Sequence, residues 1–133
     1  MNRKSLFSYS AFFIILIFVL NFIANKLYLY SSLWYFDNIM HFLGGFWLGL
    51  FFLWYFYYKV FIAFPLKYFF YTLLGVFIVG LCWEFYEIIV NASFAKDSFD
   101  FIDTLSDLVL DTLGGGLAYL GMKKIIKSHE HSL

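Results

Sequence analysis

The chain has 133 residues, of which 63% are hydrophobic and only 14% charged. Soluble domains are normally about half apolar and about a quarter charged, so this composition points to a membrane protein. Formal net charge is zero, which argues against a nucleic-acid partner, and the single cysteine, Cys82, excludes an intrachain disulfide and a thiolate metal cluster.

A helix needs about 20 predominantly apolar residues to cross the hydrocarbon core. The first such run extends from about Leu6 to Leu27, behind Arg3 and Lys4, and is interrupted only by Asn21, Asn25 and Lys26. A basic start followed by an apolar run resembles a signal peptide, but no small-x-small cleavage site closes it, so a retained span is expected. The second span is expected over 36–58. The third covers 66–90 and starts after Pro65, a residue suited to a helical first turn. The fourth covers 103–122. These runs lack the period-two alternation of a membrane β-barrel. The expected fold is all-α: one polytopic domain over residues 1–133, a compact bundle of four transmembrane helices.

Basic residues set the expected orientation. Arg3, Lys4, Lys59, Lys67, Lys123, Lys124 and Lys127 fall on one side of a four-span topology, and Lys26 and Lys96 on the other. That asymmetry predicts N-in, C-in insertion. Tyr28, Tyr30, Trp34 and Tyr35 at one boundary, and Tyr55, Tyr57, Tyr58 and Tyr68 at the other, suit interfacial aromatic belts.

The ionisable residues inside these spans are the unusual feature. Asp37 and His41 stand in the first two turns of span two, within DNIMHFLGG. Glu84 and Glu87 stand in the last two turns of span three. Asp103, Asp107 and Asp111 occupy successive turns of span four. Each set has i,i+3 or i,i+4 spacing and so shares one helix face. At about 1.5 Å per residue, His41, Glu87 and Asp107 fall on the order of 5–8 Å inside the outer boundary, with Glu84 and Asp111 about one turn deeper. Three spans therefore deliver polar groups to one layer near the extracytoplasmic face. Gly44, Gly45 and Gly49, Gly80, and Gly114, Gly115, Ala118 and Gly121 extend the same faces with small residues that let membrane helices approach closely.

An aspartate at the centre of a span costs about 2.5–3.5 kcal/mol on insertion scales. Asp37, Glu84, Glu87, Asp103, Asp107 and Asp111 cannot all be ionised at close quarters without a counter-charge; beside them in the spans only His41 is placed to offset them, with Lys26 and Lys96 as candidates to reach in from the loops. Either several are protonated or a cation sits among them. An oxygen-rich set with one imidazole suits a divalent Zn, Mn, Mg or Fe, with Asp37, His41, Glu84, Glu87, Asp103, Asp107 and Asp111 as candidate ligands and His41 and Glu84 as candidate catalytic residues.

The pattern DNIMHFLGG, WEFYE and DTLSDLVLDTLGGGLAYLG, spanning roughly Asp37 to Gly121, resembles the VanZ-like and YjdF-like bacterial membrane proteins. The resemblance implies a helical integral protein of a bacterial or archaeal plasma membrane, with an activity that the family leaves undefined.

Three functions compete. The first is a metal site acting on a lipid or lipid-linked substrate at the outer leaflet, matched by the depth of the acids. The second is a non-catalytic membrane protein whose acids form a structural polar network. The third is a proton or cation pathway, disfavoured because the inner half of spans two to four carries no acid. Trp83 is expected to anchor at the interface, Asp100 to cap span four, and the Gly114–Gly116 run to serve helix packing. His129 and His131 are expected in a solvated tail, and the Asn91-Ala92-Ser93 sequon to be incidental.

Overall fold

The computed structural model of the chain describes residues 3–57, 66–90, 93 and 100–130, with side chains up to Met122. Five helices follow in order: α1 Arg3–Leu27, α2 Leu29–Ser32, α3 Phe36–Tyr55, α4 Leu66–Val90 and α5 Phe101–Glu130. No strand occurs among the described residues. The expected end of span two at Tyr58, the helix-starting Pro65, the sequon and Lys96 lie outside them, as do the side chains of the basic C-terminal tail.

Three helices, α1, α3 and α4, are long and apolar enough to cross a membrane. The fourth expected span, α5, is not among them, although its 30 residues are more than long enough. Its three aspartates and its glycines lower its apolarity. The helix also runs past the expected end at 122 to Glu130.

The outward surfaces confirm the lipid setting. Ile15 is 63% exposed and Phe12 60%, and Phe85 and Leu117 also point outward. Apolar side chains at this density on the outside are stable only against hydrocarbon.

The inward surfaces are narrow stripes of small and polar residues. On α4 the buried positions are Thr72, Val76, Gly80 and Glu84, one every four residues. On α5 they include Asp107, Leu108, Asp111, Gly114, Gly115, Ala118 and Tyr119. The central pair is α3 with α5; α4 packs on α5, and α1 packs on the other side of α3.

The α3–α5 seam is a backbone contact. A Cβ on Gly45 would fall on the Asp111 main chain, and one on Gly114 would fall on the Phe42 carbonyl. One turn further along, a Cβ on Gly49 would come within 2.7 Å of the Gly115 carbonyl oxygen. The expected packing role of Gly45-xxx-Gly49 and of the triple glycine is therefore observed. Away from the acids, the same helices close over a hydrophobic cluster of Leu6, Leu53 and Tyr119. There Phe69 meets Tyr119 edge-on at 5.3 Å, and the Arg3 guanidinium lies 4.7 Å from the centre of the Trp54 ring.

The turn after α1 is held by an unusual residue. Tyr28 takes the left-handed conformation, φ 54° and ψ 36°. For a non-glycine residue this costs roughly 1–2 kcal/mol. The Tyr28 carbonyl offsets it by accepting the Ser31 and Ser32 amides and both of their hydroxyls. The turn folds α2 back so that the Tyr30 hydroxyl donates to Asn21 Oδ1 of α1 at 2.8 Å.

The seam yields a prediction. Gly45→Ala should lower stability by about 1–3 kcal/mol or more, because a backbone cannot move aside as a side-chain tip can. Gly121→Ala, whose Cβ would meet nothing within 4 Å, should be close to neutral. Thermal unfolding of both variants in detergent checks the contrast.

Candidate functional site

His41 is the centre of the site. It lies on the buried face of α3, 6% exposed. The imidazole is ringed by carboxylates from its own helix and from both neighbours. Its Nε2 edge faces Glu84 Oε1 at 3.7 Å, Asp107 Oδ2 at 3.8 Å and Asp37 Oδ1 at 4.0 Å. Its Nδ1 edge meets Asp111 Oδ2 at 3.4 Å. The two ring nitrogens thus have different surroundings: one close carboxylate on one edge and three more distant ones on the other.

Local sequence explains each placement. Asp37 precedes His41 by one helical turn, so both project from one face. Glu84 ends the buried stripe of α4. Asp107 and Asp111 are one turn apart on α5 and straddle the ring. Gly80 makes room for this geometry, since a Cβ there would approach Asp111 Oδ2 to 2.7 Å.

The seven candidate ligands separate by position. Asp37, His41 and Asp107 can bring one ligand atom each within 4.8 Å of one another, and so can His41, Glu84 and Glu87. Glu84, Asp107 and Asp111 are 5%, 2% and 5% exposed. Glu87 is half-buried, and Asp103 is exposed one turn further out. Asp103 instead lies in the first turn of α5, where a negative charge is favoured by the helix dipole. Asp100 caps that helix as expected, its Oδ1 accepting the amides of Ile102 and Asp103 at 2.9 and 3.3 Å.

Two carboxylate oxygens of the cluster, Glu84 Oε1 and Asp107 Oδ1, are buried with no hydrogen-bond partner among the described residues. A buried polar atom without a partner is costly and rare in native proteins. Both belong to residues facing the Nε2 edge of His41. Lys26, which sequence position would allow near the acids, instead sets its ammonium over the Phe22 ring at 4.8 Å.

Beside the cluster lies a cavity of about 390 Å³, floored by α3 and walled by α1 and α4. Asp37, His41 and Asp111 reach it, and so does Trp83, which position alone marks as an interface anchor. Asn21 and Tyr30 line it as well. Position in the chain marks Tyr30 only as an interfacial aromatic, and Asn21 only as an interruption of an apolar span, one turn before Asn25. Asn25 donates through Nδ2 to the Asn21 carbonyl at 2.8 Å and to its Oδ1 at 3.3 Å. Tyr30, in the short α2 outside the spans, has its phenol pushed above the usual range, first by burial and then by the negative charges of Asp37 and Glu87. It stays a neutral O–H donor at physiological pH.

Long lipid-facing helices enclosing an imidazole and buried carboxylates define the class: an integral membrane protein with ionisable groups held inside its helix packing. The family model described as Predicted membrane protein (DUF2238) matches residues 1–128, and the chain belongs to that family. Searches of the curated proteins and of the solved structures each return no match.

The hub arrangement makes His41 the residue with most to lose. Removing one partner of a buried charged cluster leaves the others uncompensated, at a cost of about 3–5 kcal/mol. His41→Leu should destabilise by that order, whereas Glu87→Gln, at the half-buried edge, should cost well under half as much. Thermal unfolding in detergent at constant pH measures the difference.

Proposed function

We propose that the cluster binds one divalent cation and acts on a lipid or lipid-linked substrate. α5 serves as a fourth span, and N-in, C-in insertion places the site near the extracytoplasmic face. The observation that carries this reading is a histidine nitrogen faced by three carboxylates, two of which, Glu84 and Asp107, keep a buried oxygen with no hydrogen bond among the described residues.

The donor set fits such an ion. Metal–nitrogen and metal–oxygen bonds near 2.0–2.2 Å put neighbouring ligand atoms on the order of 3–3.5 Å apart. Separations of 3.7–4.0 Å around Nε2, with ligand atoms of Asp37, His41 and Asp107 within 4.8 Å of one another, need closure on the order of 0.5–1 Å. His41 Nε2, Asp37 and Asp107 are the ligands in this reading, one atom of each lying within 4.8 Å of the others; Glu84, 3.7 Å from Nε2 but grouped with Glu87, has to move toward the two aspartates to complete the set. Asp111 is a positioning residue: holding the Nδ1 proton, it leaves the Nε2 lone pair directed at the ion, the usual carboxylate–histidine–metal arrangement. Glu87 and Asp103 stand nearer the entrance. Three carboxylates and one imidazole suit Mn, Fe, Zn or Mg. When bound, such an ion supplies polarisation of a phosphoryl or carbonyl oxygen.

The structural-network reading keeps one supporting observation. His41 lies within 4.0 Å of four carboxylates, so a protonated imidazole could hold them without metal. A transport path ranks third, because α3 and α4 carry no further acid beyond this end. The motif resemblance to VanZ-like and YjdF-like proteins is compatible with the first two readings.

Elemental mass spectrometry of the protein purified without chelator separates them. The metal reading expects about one divalent ion per chain, lost in His41→Gln and retained when His129 and His131 are both changed to alanine. Asp111→Asn should weaken affinity roughly 10–100-fold. Acidification should release the ion, since the ligands bind it deprotonated. Absence of stoichiometric metal in the unaltered protein would leave the polar network as the function of the acids.

A further inference from the structure

The cavity next to His41 has a shape and polarity that the cation site does not require. Its floor on α3 runs from Asp37 to Leu48, on the order of 16 Å at about 1.5 Å per residue. Ile14, Ile17 and Phe18 of α1 form one wall, and Val79 and Trp83 of α4 form the other. These two helices flank α3 and have little direct contact with each other, so the cleft opens sideways between them. Its volume of about 390 Å³ lies at the small end of the ligand-pocket range, roughly 300–1,000 Å³.

The polar groups are confined to one end and to the floor. Asn21, Tyr30, Asp37 and His41 gather at the outer end, with Asp111 beneath. The Asn21 amide is oriented: its Oδ1 accepts from both Tyr30 and Asn25, which leaves Nδ2 as the donor available to a ligand. Gly44 opens the floor, since a Cβ there would meet nothing nearer than Asp111 Oδ1 at 3.8 Å. An apolar trough that ends in directed hydrogen-bonding groups and a histidine is complementary to an amphiphile.

We infer that the α1–α4 cleft is a lateral binding site for one acyl chain of a membrane glycerophospholipid, entered from the bilayer, with the lipid's polar linkage held by Asn21 and Tyr30 beside His41. The inference names the substrate class of the proposed cation site. It rests on that reading for what happens to the linkage, and on the cleft alone for binding. The limited volume selects one chain of the lipid; the second stays in the bilayer. With Asp37 and Asp111 on the lining, an anionic linkage requires the cation, whereas an uncharged ester does not.

Photolabelling in liposomes tests this, using a phosphatidylglycerol that carries a diazirine on one acyl chain. Adducts mapped by peptide mass spectrometry should concentrate on Ile14, Ile17, Met40 and Val79, at several times the yield on the outward Phe12 and Leu117. Ile17→Trp and, separately, Gly44→Leu should each fill the trough and lower the cleft adducts about tenfold while leaving the outward adducts unchanged. Equal labelling of cleft and outward residues in the unaltered protein, or cleft labelling that neither variant reduces, overturns the inference. Metal content measured on the same samples keeps the two proposals apart. Cleft adducts without metal retain the lipid site and remove the cation; metal without cleft adducts does the reverse.

Discussion

The close approach of α3 and α5 is the constraint on which the rest depends. Gly45 rests on the Asp111 main chain and Gly114 on the Phe42 carbonyl, so the two helices meet backbone to backbone. In a bilayer no hydrophobic force drives helices together, and close packing of small residues has to supply the association. The glycines also fix registry. With Gly45 seated against Asp111, His41 one turn away lies between Asp107 and Asp111. A side chain larger than hydrogen at either seam glycine would separate the helices and pull the carboxylates from the ring.

That geometry concentrates negative charge around one imidazole in a medium where charge is poorly screened. Each carboxylate alone would be expensive at this depth. Together they are tolerated because each finds the same partner, and because the partner has two distinct edges. Asp111 takes the Nδ1 side. The Nε2 side is left facing oxygens from three helices, two of whose carboxylates keep a buried oxygen with no hydrogen bond among the described residues. A polar network built only for packing would be expected to close on itself. This one is closed on one edge and open on the other, and the open edge adjoins the cleft.

The peripheral helices give the site its surroundings. α1 makes no contribution to the acid cluster, yet it walls the cleft and carries Asn21. The left-handed Tyr28 reverses the chain after α1 and brings Tyr30 over the outer end. Against α3 these elements place a directed polar rim next to an apolar trough. The acidic end and the aromatic end of the structure then divide the work: Leu6, Leu53 and Tyr119 hold the helices together where nothing polar is needed, and the loosely packed gap between α1 and α4 stays at the chemical end.

Much of this was legible in the residues. Apolar runs of about 20 residues must be helices in a bilayer, because no water is present to satisfy an exposed backbone. The helical period then dictates that Asp37 and His41 share a face, as do Asp107 and Asp111, and that the glycines lie beside them. Hydropathy and the helical period were enough for the membrane class, for helices over these runs and for the shared faces of the acids. Which acids surround His41, and on which edge, follows from how α3, α4 and α5 pack. Asp103 obeys the same spacing as Asp107 and Asp111 but lies outside the cluster, because a helix face drifts over two turns and ends at the surface. The cleft, too, belongs to the fold alone. It is the space between two helices with little direct contact, and no periodicity within either one records what the other leaves empty.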